Sequence, residues 1–176
     1  NAIIDCYASF FNSLNLSIVD IKCKRIRYYF QNCFTGHMFD STLTIETDEV
    51  ISMYNGSFCL YLEGDSANVN FNLYANTVYV HRGFIGWFNA GILNVNIYAK
   101  RLEHVGLDYY ASLAWTLGAA TTMNFRVDDI IINATGANSF FPWYGVLNVY
   151  SNITCNTDIS YLMADGGVCN FYGNIN

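Results

Sequence analysis

The sequence predicts an all-β fold, a parallel β-solenoid of about seven coils with about 25 residues in each coil. Three observations support this prediction: apolar and polar residues alternate in strand-like stretches, helical periodicity is absent, and similar tripeptides return at near-regular intervals. The stretch LNVNIYA shows the alternation most clearly, with Leu93, Val95 and Ile97 on one face and Asn94 and Asn96 on the other.

The repeating unit is a tripeptide in which two apolar residues flank a small polar residue, as in Leu93-Asn94-Val95. Seven such tripeptides begin 22 to 30 residues apart. Their first residues are Val19, Leu43, Val69, Leu93, Met123, Leu147 and Cys169. A second apolar patch follows most of them after a short polar corner, and a third, aromatic patch comes later. Three short strands in about 25 residues are typical of one coil of a solenoid, and coils stack about 4.8 Å apart.

Over essentially the whole chain, this repeat pattern resembles the right-handed parallel β-helices of pectate-lyase-like proteins and of phage tailspikes and tail fibres. Leucine-rich repeats have a similar period and remain the alternative fold, since Phe71, Leu73, Asn76 and Val78 fit their template. The other repeats lack an asparagine at the matching place and the chain is not rich in leucine, so the β-helix is favoured.

A length of 176 residues is sufficient for one domain, and we expect a single β-helix domain over residues 1–176. Residues 1–18 would form a partial first coil, and residues 169–176 would begin an incomplete last coil. Because an open end of a solenoid exposes a sheet edge, we expect a segment of a longer solenoid or of an assembly. The expected assembly is a homo-oligomer, either a side-by-side trimer or an end-to-end array.

Composition excludes several classes of function. A net charge of −6 with only eight lysines and arginines argues against nucleic acid as a partner. No apolar run approaches the ~20 residues that span a bilayer, so we expect no membrane insertion. The six cysteines show no C-x-x-C spacing and no cluster with histidine, and therefore predict neither a metal nor another cofactor. Buried thiols are favoured for them, while disulfides remain open for a secreted protein.

Stacked coils place equivalent residues in columns, and the first outward column is predicted to be rich in asparagine. Its members are Asp20, Thr44, Asn70, Asn94, Asn124, Asn148 and Asn170. Asparagines in such a column can hydrogen-bond to one another along the axis. The neighbouring columns are predicted to pair Lys22 with Glu46, Lys24 with Asp48, Tyr74 with Tyr98 and Tyr150 with Tyr172.

A further column contains the three tryptophans of the chain. Its predicted members are His37, Tyr61, Trp87, Trp115 and Trp143. Two interpretations are open: an exposed strip of flat rings on which sugars stack, or an internal aromatic ladder that fills the core. On the first interpretation, the candidate ligand-binding residues are Tyr61, Trp87, Trp115 and Trp143, together with Tyr74 and Tyr98 of the neighbouring columns.

A catalytic site is not evident. Glu46 and Asp48 stand two residues apart, about 7 Å along a strand, which is within the range that glycoside hydrolysis requires. Their predicted partners, Lys22 and Lys24, would keep both carboxylates ionised, which is unfavourable for a general acid. No nucleophile, zinc or phosphate-loop motif occurs. The sequence therefore leaves an enzymatic role open but favours a non-enzymatic one.

We expect a structural and recognition β-helix domain of a virion-associated or cell-surface appendage, similar to a phage tail fibre or tailspike. Its location would be extracellular or on the virion surface, and its partner a surface glycan. One alternative is a polysaccharide lyase or glycoside hydrolase of the pectate-lyase-like type. A second alternative is a bacterial surface adhesin or a filament subunit.

Overall fold

A computed structural model shows parallel strands in two sheets and no helix in the residues that it describes. These residues are 2–7, 11–29, 35–53, 60–63, 68–81, 83–89, 92–105, 112–116, 121–133, 140–142, 144–156 and 166–176. Within them, no helix is long and apolar enough to cross a membrane. The predicted all-β solenoid is confirmed.

The larger sheet, called the long sheet below, contains nine of the described strands. They are β1 (Ile3–Cys6), β3 (Ile18–Lys22), β4 (Arg25–Tyr28), β6 (Ser41–Ser52), β8 (Asn68–Val80), β10 (Ile92–His104), β12 (Thr121–Ile132), β14 (Val146–Cys155) and β15 (Val168–Phe171). Their order in space is β1-β4-β6-β8-β10-β12-β14-β15, and β3 also lies beside β6. Each strand therefore pairs with the strands of the preceding and following coils.

The smaller sheet, called the short sheet below, contains six described strands in the spatial order β13-β11-β9-β7-β5-β2. They are β2 (Phe11–Asn15), β5 (Thr35–Phe39), β7 (Leu60–Glu63), β9 (Gly83–Asn89), β11 (Ser112–Thr116) and β13 (Phe140–Pro142). Along the chain, a strand of this sheet follows each passage through the long sheet up to β13. This alternation of two parallel sheets makes each pair of passages one turn of the solenoid.

The number of turns is smaller than predicted. Among the described residues, strands of 10 to 13 residues occur five times, as β6, β8, β10, β12 and β14. These five strands enclose four complete turns, and shorter rungs flank them at both ends. The prediction of about seven coils counted the short flanking rungs as full coils.

The first two strands predicted for each coil are joined into one long strand with a bend at the polar corner. In β12, Val127 and Ile130 are buried, whereas Asp128 and Asp129 between them are both exposed. Side chains of a regular strand alternate between its two faces, but here two successive side chains point outward. The strand therefore bends at this corner and continues beyond it. In the first rung the same corner does interrupt the strand, because β3 ends at Lys22 and β4 begins at Arg25.

The register confirms four of the six predicted steps between coils and corrects two. The confirmed pairs are Val19 with Leu43, Val69 with Leu93, Met123 with Leu147 and Leu147 with Cys169. Leu43 pairs with Phe71 instead of Val69, and Leu93 pairs with Thr121 instead of Met123. Both errors are shifts of two residues. Such a shift keeps every side chain on its own face, so the alternation alone cannot detect it.

The core is formed by the inward-facing residues of successive rungs. Ile45, Phe71, Val95 and Phe125 are among those with no measurable solvent exposure. Phe84 of the short sheet packs edge-on against Phe125 of the long sheet, with ring centroids 6.4 Å apart and planes at 72°. The two sheets therefore enclose one continuous apolar interior, and the opposite side of the long sheet is free to carry polar side chains.

Candidate binding face

The outward-facing residues of the long sheet, which alternate with the core residues, form its outer face. Two neighbouring columns run along this face, parallel to the axis of stacking. They lie on the same side of the sheet because their members are two residues apart in every strand. The strands that carry them are held in register on both sides by the adjacent coils.

The first column is a hydrogen-bonded series of asparagines, the amide ladder. Its members are Asn72, Asn96, Asn124, Asn148 and Asn170. In each step the Nδ2 of the later residue donates to the Oδ1 of the earlier one, over 2.9 to 3.0 Å. The predicted asparagine ladder thus exists, but Asn72 and Asn96 occupy the places that the sequence assigned to Asn70 and Asn94.

Asn70 and Asn94 belong to a parallel column, because the two corrected steps of register shift them by two residues. Asn94 donates to Asn70 over 3.2 Å. Their strand neighbours on either side are Thr42 and Thr122. The asparagine series is interrupted at both of these threonines.

The second column, the Tyr–Arg column, combines ion pairing with aromatic stacking. Its members are Lys22, Glu46, Tyr74, Tyr98, Arg126, Tyr150 and Tyr172. The Nζ of Lys22 lies 2.7 Å from Oε2 of Glu46, as predicted. This hydrogen bond, together with the charge of Glu46, raises the pKa of Lys22.

Both predicted tyrosine pairs are present. Tyr74 and Tyr98 stack with ring centroids 4.8 Å apart, and Tyr150 and Tyr172 stack at 4.5 Å. The planes of each pair are parallel to within 9°. Because each ring covers the face of its neighbour, a ligand on this side meets mainly ring edges and phenol hydroxyls. Tyr74 and Tyr98 are therefore suited to hydrogen bonding more than to stacking against a sugar.

Arg126 was not identified from the sequence, because the predicted register placed it opposite Tyr150, as observed, but opposite Asn96 instead of Tyr98 on the other side. It pairs with Tyr98 on one side and Tyr150 on the other, and its guanidinium carbon lies 4.2 Å above the centre of the Tyr150 ring. Paired residues of successive coils are alternately 24 and 28 residues apart. This alternation was the sequence signal that could have predicted the pairing of Arg126 with Tyr98.

The remaining described arginines differ from Arg126 in having carboxylate partners. Arg25 binds Glu49, Arg27 binds Asp5, and Arg101 binds Glu103. The part of the chain that the structure describes contains no such ion pair for Arg126. Its guanidinium is held by an aromatic ring and remains available to an anion.

An open groove of about 450 Å³ lies where the long sheet bends, near the first rungs. Glu46 and Asp48, the carboxylates considered for catalysis, line this groove. Glu46 binds Lys22, and Asp48 accepts a hydrogen bond of 3.1 Å from Asn76. Lys24 and Asp48 are adjacent through a backbone hydrogen bond of 3.1 Å, but the described residues show no ion pair between them.

The predicted tryptophan column is not in register along the backbone of the short sheet. Trp115 pairs with Gly86, one residue before Trp87. His37 pairs with Glu63, and a register shift falls at Tyr61. Trp143 lies outside the described residues, and the side chains of the other members are not described either. The two interpretations of this column therefore both remain predictions.

The cysteines and acidic residues supply no reactive or metal-binding centre among the described residues. No group of three histidine, cysteine or carboxylate side chains lies together there. Cys6 and Cys23 are buried, as the favoured prediction expects, whereas the free thiols of Cys155 and Cys169 are only partly buried. Cys33 and Cys59 lie outside the described residues. Burial raises the pKa of Cys169 to about 12, so its thiol is protonated at neutral pH.

Comparisons with protein families, with curated proteins and with solved structures found no match. The resemblance to β-helical tailspikes and pectate-lyase-like proteins therefore rests on the repeat pattern of the sequence alone. Function has to be argued from the outer face itself.

Proposed function

We propose that the chain is a structural and recognition domain of a virion-associated or cell-surface appendage, and that it contacts glycans through the outer face of the long sheet. The observation that carries this proposal is the run of amide and phenol groups in two adjacent, in-register columns. The same groups recur from rung to rung, so a ligand with repeating hydroxyl groups could contact several rungs at once.

The amide ladder supports this proposal because it uses only part of each side chain's hydrogen-bonding capacity. A primary amide has two N–H donors and an oxygen with two lone pairs. In the ladder, Asn96, Asn124 and Asn148 each donate one hydrogen bond and accept one. The remaining donor and lone pair suit sugar hydroxyl groups, which both donate and accept.

The enzymatic alternative has less support. Hydrolysis or elimination on a polysaccharide needs a carboxylate or base that is free to exchange a proton. Glu46 and Asp48, the carboxylates considered for catalysis, are already engaged by Lys22 and Asn76. A binding role requires no such group.

The proposal is tested by screening the purified chain on a glycan array beside the double variant Tyr98→Phe, Tyr150→Phe. Phenylalanine keeps the stacked rings but removes the two outward hydroxyls. We expect the wild type to bind a restricted set of glycans and the double variant to bind them about tenfold more weakly, with an unchanged melting temperature.

Tyr79→Phe is the matched control, because Tyr79 is exposed on the same strand as Tyr74 but lies outside both columns. Its binding should equal that of the wild type. A wild type that binds no glycan would contradict the proposal, as would equal losses in the control and the double variant.

We also propose that the chain acts as a homo-oligomer, either a trimer or an end-to-end array. Analytical ultracentrifugation separates the two arrangements: a trimer gives one species of three chains, whereas an array grows continuously with protein concentration. A monomer at every concentration would contradict both.

A further inference from the structure

We propose that Arg126 makes the outer face selective for glycans that carry carboxylate groups, such as chains of uronic acids. This inference rests on the proposed glycan binding and specifies the chemical class of the ligand. Arg126 lies in the Tyr–Arg column between Tyr98 and Tyr150, and the amide ladder runs parallel to this column.

The first argument is the contrast with the other described arginines. Arg25, Arg27 and Arg101 lie beside carboxylates of this chain, and their charges are compensated within the molecule. Arg126 is exposed and stacks on an uncharged ring. An exposed guanidinium without a carboxylate partner among the described residues is the natural position for a ligand's carboxylate.

The second argument is orientation. The contact with Tyr150, 4.2 Å from the ring centre, restricts where the guanidinium lies, and a guanidinium directs its N–H groups around the edge of its plane. A carboxylate accepts two parallel hydrogen bonds from such an edge, and less conformational freedom is lost when the edge is already fixed. A lysine at this position would supply charge without this planar fork.

The third argument concerns what surrounds the guanidinium. Asn124 precedes Arg126 by two residues on the same face, and it donates to Asn96 and accepts from Asn148. Along the two columns the neighbours of Arg126 are therefore neutral amide and phenol groups, while Asp128 is the nearest charged residue along its own strand. This combination fits a sugar acid, whose ring carries several hydroxyls for each carboxylate, better than an acidic peptide.

The charged neighbours limit how strongly an anion can be attracted from a distance. Asp128 and Asp129 follow Arg126 at the bend and are exposed, and the chain has a net charge of −6. Long-range attraction of an anionic ligand is therefore weak, and selectivity has to come from direct contact with Arg126.

The test measures binding by titration calorimetry with three probes of matched length: an oligogalacturonate, a neutral malto-oligosaccharide and an oligoglutamate peptide. The variants are Arg126→Gln, which removes the charge, and Arg126→Lys, which keeps it. Arg101→Gln is the matched control, because Arg101 lies on the neighbouring strand and already binds Glu103.

We expect the wild type to bind the oligogalacturonate at least about tenfold more tightly than the neutral oligosaccharide, since hydrogen bonds to a charged group are the stronger kind. Arg126→Gln should abolish this difference while neutral binding persists, and Arg126→Lys should restore only part of it. Arg101→Gln should behave as the wild type. Thermal melting of each variant verifies that it is folded.

Equal binding of the acidic and neutral oligosaccharides by the wild type would overturn the inference and leave glycan binding intact. Binding of neither oligosaccharide would also overturn the inference, while the glycan array decides separately whether the proposed glycan binding holds. Equal binding of the oligoglutamate would overturn the assignment to a glycan, because Arg126 would then recognise carboxylates whatever their carrier.

Discussion

In the first rungs of the long sheet and in the later rungs, different interactions between outward side chains stabilise the stacking of the coils. Outward side chains have to hold each coil against the next. In the first rungs, charged pairs do so, as with Lys22 and Glu46 or Arg25 and Glu49. Along the amide ladder and the Tyr–Arg column, the later rungs have amide hydrogen bonds and stacked rings instead.

The difference teaches that a polar outer face can be ordered by two kinds of force. Ion pairs between exposed groups weaken as salt screens them, whereas stacking and amide hydrogen bonds depend little on ionic strength. The later rungs also keep hydrogen-bonding groups available to a ligand, because each amide of the ladder uses only part of its donors and acceptors in contacts with the neighbouring coils. Salt is therefore the variable that should separate the two regions.

The largest effect should come from the interior, which both regions share. Phe125→Ala removes a fully buried ring that packs on Phe84, and it should lower the free energy of unfolding by ~3–5 kcal/mol. Urea denaturation should give the same loss at low and at high salt. Ile45→Val, a smaller deletion beneath the charged rungs, should cost ~0.5–1.5 kcal/mol. A strong salt dependence in either variant would contradict a common apolar interior.

A smaller loss is expected from the amide ladder. Asn124→Ala removes two hydrogen bonds and leaves the amides of Asn96 and Asn148 each without one partner. The expected cost is ~1–3 kcal/mol, independent of salt. Asn94→Ala is the control, because Asn94 makes one such bond, is more exposed and should lose less. Equal losses would show that the ladder is not what orders these rungs.

The stacked tyrosines should contribute less again. Tyr98→Ala removes the partner of Tyr74 and should cost ~0.5–1.5 kcal/mol beyond the buried area that it loses. Tyr98→Phe should leave the stability unchanged, because the ring and its stacking remain. If the two substitutions were equally destabilising, the hydroxyl and not the stacking would be the stabilising group.

The smallest effect should come from the charged rungs. Glu49→Gln removes the partner of Arg25, and both side chains are about one-third exposed. We expect a loss of ~0.2–1 kcal/mol at low salt that disappears at high salt. Urea is the appropriate denaturant, since it adds no ions. A loss that persists in high salt would remove the proposed distinction between the two regions.

A pH titration can refine the comparison in the same rungs. The pKa of Lys22 is raised by Glu46, so folding favours its protonated form. The stabilisation is fully present below the unfolded lysine's value of 10.5 and is lost as the pH rises through the higher folded value. Lys22→Gln should make the alkaline decline smaller, which circular dichroism at constant ionic strength would detect.

The sequence predicts the fold class and the inward or outward direction of most strand residues, because both follow from the period of two. It does not determine the register between coils, because a shift of two residues preserves that period. For this reason Asn70 and Asn94 were placed where Asn72 and Asn96 stand, and Arg126 was placed opposite Asn96 instead of Tyr98. The pairs Lys22–Glu46 and Tyr74–Tyr98 were predicted correctly, since both lie across 24-residue steps whose register was right.

Every hydrogen bond of the amide ladder runs in one direction, from a later coil to the coil before it. During synthesis the earlier coil leaves the ribosome first and displays its acceptors before the matching donors exist. Each new coil then finds its partner only 22 to 28 residues behind it in the chain. Such short separations favour growth of the structure one coil at a time, in the order of translation.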